Sequence, residues 1–307
     1  MLSGKPVMNL SGTGGISRMS NKFLSGACLA ATMLVAFPGP SAPWVAKEPK
    51  LTPEECVAQH LASIGTAEAR VAAKSRVAQG NAVFRLLLGG SGGAGGPVAI
   101  VSEGQKVRLF IQFNQRDYPG EEFALNGDKV TVGYIRPGVR SPLEGFVLQN
   151  DEPLVEGLFG GTLSTAWPLL DFNGRRTKLE YEGLKKTHGR ELHKVSYHPR
   201  KGSGNLRVEL YFEPETFRHV LTVYERTFTA GMTTDPRTAS NLQMNRQTLE
   251  EEFSDFQTVD SLMLPMHWIV TLSQETNRQG TSLFQFEMSL NRVRHNVPLE
   301  PNVFEIR

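Results

Sequence analysis

FSDFQTVDSLMLPMHWIVTLSQETNRQGTSLFQFEMSLNRVRHNVPLEPNVF, residues 253–304, is the stretch on which the fold turns. From Leu262 to Leu272 every even position is apolar: Leu262, Leu264, Met266, Trp268, Val270 and Leu272. A repeat of two residues marks a strand with one apolar face. A polar loop containing Asn277, Arg278, Gln279 and Gly280 follows, and then Phe284, Phe286, Met288 and Leu290 renew the alternation. Two such runs joined by a Gly-containing loop predict a hairpin. One of its faces is a stripe of Trp, Phe and Met, which serves either as plain core or as the wall of an apolar pocket.

Outward from the hairpin, the sequence keeps the texture of strands. LEEEFSDFQTVD feeds directly into it, and 232–247 reads as a long polar loop. TKLEYEG, ELHKVSYH, NLRVELYF and FRHVLTVYERTF lie further upstream between Gly- or Pro-containing turns, with Leu206, Val208, Leu210 and Phe212 sharing a face. Residues 141–170 lose the alternation and predict a helical insertion packed on the sheet, carrying Phe146, Leu158, Phe159 and Trp167. Residues 81–135 resume it as an antiparallel meander, with Val107, Leu109, Ile111 and Phe113 on one face. Before the strands, Thr52 offers an N-cap, Pro53 suits the first helical position, and Glu54 and Glu55 suit the positive helix end. Val57, Leu61 and Ile64 then fall on one side of an amphipathic helix. Strands in runs with helices confined to two places predict an α+β, mainly antiparallel protein.

Residues 1–42 read as an export signal: Lys22, the apolar run Phe23–Phe37, then small residues and prolines up to a cleavage point near Ala42. Met19 opens a leader of ordinary shape, and an uncleaved anchor is the alternative. The apolar run is short for a membrane-spanning helix. Cys28 does not end it, as a lipobox cysteine would. Residues 43–50 read as a linker and 51–307 as one domain. The remainder holds 30 basic against 31 acidic residues and only Cys56, so no intrachain disulfide is available and no basic stripe points to nucleic acid.

Several motif matches have ordinary explanations. Gly90 to Gly95 spells GxGxxG and Gly89 to Gly93 spells GxSxG, but Pro97 and a β-branched strand follow where both motifs need a helix. A flexible hairpin loop accounts for both. His188, His193 and His198 are five apart, so on strands their side chains alternate faces and do not converge on a metal. His267 lies on the polar face of its strand, in a solvent-facing or hydrogen-bonded role. Glu250, Glu251 and Glu252, with Asp255 and Asp260, read as a solvated face. No catalytic constellation, metal site or cofactor motif emerges.

One long apolar sheet face with few helices to cover it predicts an apolar cleft suited to acyl chains. The end of the chain points the same way. Phe253, Phe256, Val259, Asp260, Leu264 and Pro265, followed by Asn296, Leu299, Pro301 and Phe304, resemble the pattern of the LolA/LolB-like family of periplasmic lipoprotein carriers and outer-membrane lipoprotein-sorting proteins. HLASIG with KSRVAQG resembles the start of that family, and YFEPETFRHVLTVYERTF its central strand pair. The resemblance implies an unclosed half-barrel lidded by helices that open and close over acyl chains. It departs at the insertion 141–170 and the loop 232–247, and no position matches a carrier-type functional Arg.

The expectation is therefore a periplasmic, non-enzymatic protein binding lipid or lipoprotein acyl chains, touching membranes peripherally and meeting envelope transport or signalling proteins. The expected wall is Val107, Leu109, Ile111, Phe113, Leu210, Phe212, Met266, Trp268, Phe284, Phe286 and Met288. The expected lid is Leu61, Ile64, Phe146, Leu158, Phe159 and Trp167. An envelope-stress sensor of the same fold is the alternative, and an enzyme acting on envelope glycolipid comes after it.

Overall fold

The computed structural model describes residues 51–175, 178–199, 206–229, 244–276 and 280–306. The expected leader (1–42), the expected linker (43–50) and residues 232–243 of the predicted polar loop lie outside the described residues.

Helix α1 (Pro53–Ile64) begins where the sequence places it. Thr52 Oγ1 accepts from the Glu55 N–H at 3.2 Å and Glu55 Oε2 accepts from the Thr52 N–H at 2.8 Å, a reciprocal cap. A short α2 (Ala67–Ala72) follows. Five strands then form a meander: β1 (Ser75–Leu88), β2 (Gly93–Glu103), β3 (Lys106–Gln112), β4 (Gly120–Asn126) and β5 (Lys129–Val132). Seven more form a second: β6 (Lys178–Thr187), β7 (Arg190–His198), β8 (Leu206–Phe212), β9 (His219–Thr229), β10 (Met244–Val259), β11 (Leu262–Thr276) and β12 (Gly280–His295).

The two meanders join through β1 and β12 into one antiparallel twelve-stranded sheet in the order β5-β4-β3-β2-β1-β12-β11-β10-β9-β8-β7-β6. The sheet is open, with β5 and β6 as its edges. This is the α+β half-barrel expected from the sequence. The predicted hairpin, β11 and β12, stands at its centre, and β11 pairs Trp268 with Met288 and Val270 with Phe286. Within β11, Pro265 lies opposite Phe256, beside Asp255, whose φ of 52° interrupts the ladder where a residue without an N–H is tolerated.

Because β5 and β6 are the two edges, the chain between them has to cross the sheet. It crosses on the concave side. The crossing contains α3 (Pro142–Gln149), α4 (Glu152–Val155), single 3-10 turns at Gly161–Leu163 and Pro168–Asp171, and α5 (Phe172–Arg175). The predicted helical insertion 141–170 is this crossing, built of short helices and turns and continuing to Arg175.

Two boundaries differ from the sequence reading. The Gly tract is not all loop: Gly93 to Gly96 belong to β2. A Cβ at Gly96 would stand 1.9 Å from the Gln112 carbonyl oxygen, so glycine is needed there by the close approach of strand β3. β10 also begins at Met244, inside the stretch predicted as loop, because its first residues pair with both β9 and β11.

The main core lies between the concave face and the crossing segment. A small second cluster of Leu192, Tyr211, Val220 and Leu221 lies apart from it.

Candidate ligand face and the segment that fills it

Alternate residues of the central strands point their side chains to the concave side. Val107, Leu109, Ile111, Phe113, Leu210, Phe212, Met266, Trp268, Phe286 and Met288 are all buried there, and Phe284, nearer the strand end, is half-buried. The expected lid residues meet this face. Ile64, Phe146, Leu158, Phe159 and Trp167 are buried in the same core, and Leu61 packs against it half-buried.

The contact between sheet and crossing segment is an aromatic row. Phe123 of β4 meets Phe159 edge-on at 5.0 Å between centroids, and Phe159 meets Trp268 at 5.3 Å. Trp268 stacks with Phe253 at 6.2 Å, and Phe253 lies 5.0 Å from His219. His219 stacks on Trp167 at 4.6 Å, and Phe212 flanks His219 at 5.6 Å and His60 at 4.9 Å. Phe159 and Trp167 thus stand as members of a row otherwise built by the sheet and α1. Such pairs add about 0.5–1.5 kcal/mol each beyond their buried area.

Polar contacts hold the segment in place. Arg76 on β1 donates to the Thr162 carbonyl and, through Nε, to His295 Nε2 at 2.9 Å. Burial lowers the Arg76 guanidinium to about 10. Glu251 accepts from the Gly160 N–H at 2.8 Å and from the Tyr224 hydroxyl at 2.7 Å. Burial raises that carboxyl to about 8 against the pull of these donors. At the start of α3, Ser141 Oγ donates to Glu121 at 2.5 Å, and the Tyr118 hydroxyl donates to the same carboxylate. Glu121 is likewise raised by burial to about 8. Arg175 donates to the Glu156 and Ala166 carbonyls at 2.9 and 3.0 Å. The Thr165 N–H donates to Ser102 Oγ at 3.0 Å.

α1 contributes a histidine clasp. Trp167 Nε1–H donates to His60 Nε2 at 3.0 Å, and His60 Nδ1 lies 3.0 Å from the Phe217 carbonyl. One ring nitrogen accepts and the other donates, so the ring is neutral with its proton on Nδ1. Burial lowers His60 to about 4. His219, whose Nε2 lies 2.8 Å from Thr222 Oγ1, is lowered well below the usual range by burial and then by His60.

No family model matches this chain, and no curated protein matches it. Among solved structures the fold is similar to that of a LolA superfamily protein from Nitrosomonas europaea, at 11% identity and a TM-score of 0.43, over 83% of this chain and 98% of that one. It is similar to an outer membrane lipoprotein-sorting protein domain from Vibrio parahaemolyticus, at 10% identity and a TM-score of 0.40, over 82% and 95%. It is similar to a DUF1329 family protein from Desulfovibrio piger, at 13% identity and a TM-score of 0.38, over 82% and 96%. Each of these is a likeness at low identity and low TM-score. At such TM-scores no function follows from them, and the architecture stands on the strand pairing itself.

The remaining sequence candidates fall as follows. Glu251 is not part of a solvated face: it points inward, fully buried, while Glu250 and Glu252 take the opposite side. The odd member of an acidic run on a strand necessarily faces away from its neighbours. His188 lies between Glu250 and Glu252, at 3.5 and 3.7 Å, with one atom of each of the three within 4.8 Å of the others. His193 stacks on Phe217 at 4.8 Å and His198 lies 3.9 Å from Glu180, so the three evenly spaced histidines do not converge. His267 is hydrogen-bonded, 3.0 Å from Ser254 Oγ and 3.2 Å from Glu287. Asp260 pairs with His295 at 2.9 Å. Sequence reasoning missed His60, Arg76, Glu121, Glu251 and His219. The signal available for them was a polar residue at a position whose strand or helix phase is apolar.

Proposed function

We propose that this protein is an exported, periplasmic binding protein that holds acyl chains of a lipid or lipoprotein against the concave sheet face, without catalysis. The observation that carries the reading is the aromatic row. Phe159 and Trp167, from the connections between the short helices of the crossing segment, complete an apolar surface that the sheet presents across its central strands. A segment of short helices and turns that pairs with no strand can leave as a unit, because its exit breaks side-chain contacts and single hydrogen bonds but no strand ladder. An acyl chain entering the same place buries comparable apolar area, at about 0.8 kcal/mol per methylene. The wall is then Val107, Leu109, Ile111, Phe113, Leu210, Phe212, Met266, Trp268, Phe284, Phe286 and Met288, with Leu61, Ile64, Phe146, Leu158, Phe159 and Trp167 as the moving side. Met266 and Met288 suit a wall that receives chains of irregular shape.

A lock tests it. Ser102→Cys puts one thiol at the oxygen that accepts from the Thr165 N–H at 3.0 Å, and Thr165→Cys puts the second on that same residue of the segment, in place of the hydroxyl that donates to the Gly104 carbonyl at 3.0 Å. The native Cys56 is buried with its thiol pushed up to about 12, and does not compete for the disulfide. The reduced variant takes up a fluorescent fatty acid and the oxidised variant does not. Equal uptake in both states, or no uptake by the wild type together with no co-purified lipid in native mass spectrometry, overturns the reading.

A further inference from the structure

Exposed apolar side chains are not scattered over this molecule. Among the described residues nine large ones are exposed, and six of them, Val83, Leu87, Leu88, Phe110, Tyr134 and Val139, lie in or beyond the C-terminal halves of β1, β3 and β5, toward one end of the first meander. That end is where β1 turns into β2, β3 turns into β4, and the chain leaves β5. We propose that this end is a docking surface for an anionic lipid bilayer, with the β1–β2 hairpin tip as its apolar wedge.

The tip has the composition of a wedge. From Leu86 to Ser102 there is no charged residue, and the turn itself is built of glycine and one serine. Leu87 is 47% exposed and Leu88 51%, levels at which a leucine gains by leaving water. Alternation along β1 puts Val83 and Arg85 on the side opposite Phe84 and Leu86, and past the register shift between Leu86 and Leu88 both Leu87 and Leu88 are exposed. A protein groove covers one face of such a ribbon, whereas a bilayer takes in both. The one cation on this part of β1, Arg85, is neutralised by Glu287 at 2.5 Å.

At the same end of the first meander the connections are basic, and one of them is tied to the wedge by Gln115, which donates to the Gly93 carbonyl at 2.9 Å. The connections 113–119 and 133–141 carry Arg116, Arg136 and Arg140 against Asp117 alone. Arg116 and Arg136 are exposed, and Arg140 lies over the Tyr134 ring at 4.3 Å while donating to its hydroxyl at 2.7 Å. Tyr and Arg flanking exposed leucines match the layering of a membrane interface, with cations at the phosphates and apolar groups beneath them. The chain as a whole is near neutral, so the excess is local. The surface is also continuous with the concave face. Phe84 lies 4.9 Å from Tyr118 and 5.1 Å from Phe286, so apolar side chains run from the tip to the central strands.

The inference goes beyond the ligand reading and is tested apart from it. Binding of the full chain to phosphatidylcholine vesicles, with and without added phosphatidylglycerol, is measured by flotation at low and high salt. The wild type is expected to float with the phosphatidylglycerol vesicles, less so at high salt. Leu87→Asp with Leu88→Asp is expected to weaken that binding by about tenfold or more. Arg116→Glu with Arg136→Glu is expected to weaken it on anionic vesicles only. All four residues are exposed, so thermal melting should not move. No flotation of the wild type, or flotation that the leucine variant leaves intact, overturns the proposal. Fatty-acid uptake without vesicles, measured on the same variants, stays at the wild-type level if the ligand reading holds, so the two readings fail separately.

Discussion

His60 shows how much a single side chain decides here. It accepts from Trp167 on one ring nitrogen and faces the Phe217 carbonyl on the other, tying α1, the crossing segment and the β8–β9 turn together. Trp167→Phe keeps the aromatic stacking and removes the N–H, leaving a buried acceptor without a donor. The expected loss is about 1–3 kcal/mol, read as a lower urea midpoint at unchanged slope. The buried acids and histidines act in opposite senses on pH. His60 is depressed to about 4, so its contribution is present above the unfolded value of 6.5 and is lost as pH falls towards 4. Glu251 and Glu121 are raised to about 8, so theirs is present below the unfolded value of 4.5 and is lost as pH rises towards 8. Between 4.5 and 6.5 the two trends oppose each other. Above 6.5 only the acids titrate, and stability should fall towards pH 8 by up to about 1.4 kcal/mol per unit for each group. Melting curves from pH 6.5 to 8.5 should therefore slope downward for the wild type and clearly less for Glu251→Gln. Equal slopes would show that Glu251 is already ionised in the folded protein.

At the scale of elements, the central hairpin is core on one side and solvent-facing on the other. Trp268 on β11 is fully buried and packs on Phe159 and Phe253. Trp268→Ala should cost about 3–5 kcal/mol in denaturant unfolding. Leu184 on the edge strand β6 is 51% exposed, and Leu184→Ala should stay within about 0.5 kcal/mol. The alternation that predicted these strands is a local property, so the hairpin, its faces, the N-cap of α1 and the turn positions were legible in the sequence. The crossing segment was legible only as an interruption. Its Phe146, Leu158, Phe159 and Trp167 announced a buried surface, but nothing local says that it lies across the sheet rather than beside it.

The whole molecule rests on one long-range pairing. β1 and β12 join the first and last strands of the chain, Arg76 opposite His295 and Phe84 opposite Phe286, and so fuse two meanders into one sheet. Amide exchange should follow this layout. β1, β11 and β12, flanked on both sides, should exchange last, and the edge strands β5 and β6 first. Residues 141–175 should exchange before the central strands, through an opening that leaves the sheet intact. Exchange of the segment and the central sheet at one common rate would mean that the segment does not leave on its own.

The sequence by itself determined the strands, their apolar faces, the α+β class and the candidate wall, because periodicities of two and of 3.6 residues follow from how a backbone projects its side chains. Only the tertiary structure decided that the candidate wall is filled by the chain's own Phe159 and Trp167, that Glu251 turns inward while its neighbours face out, and that exposed leucines and arginines lie toward the same end of the first meander. Each of these depends on which strands become neighbours. That is set by pairing between residues more than two hundred positions apart, as between β1 and β12, which leaves no local mark in the chain.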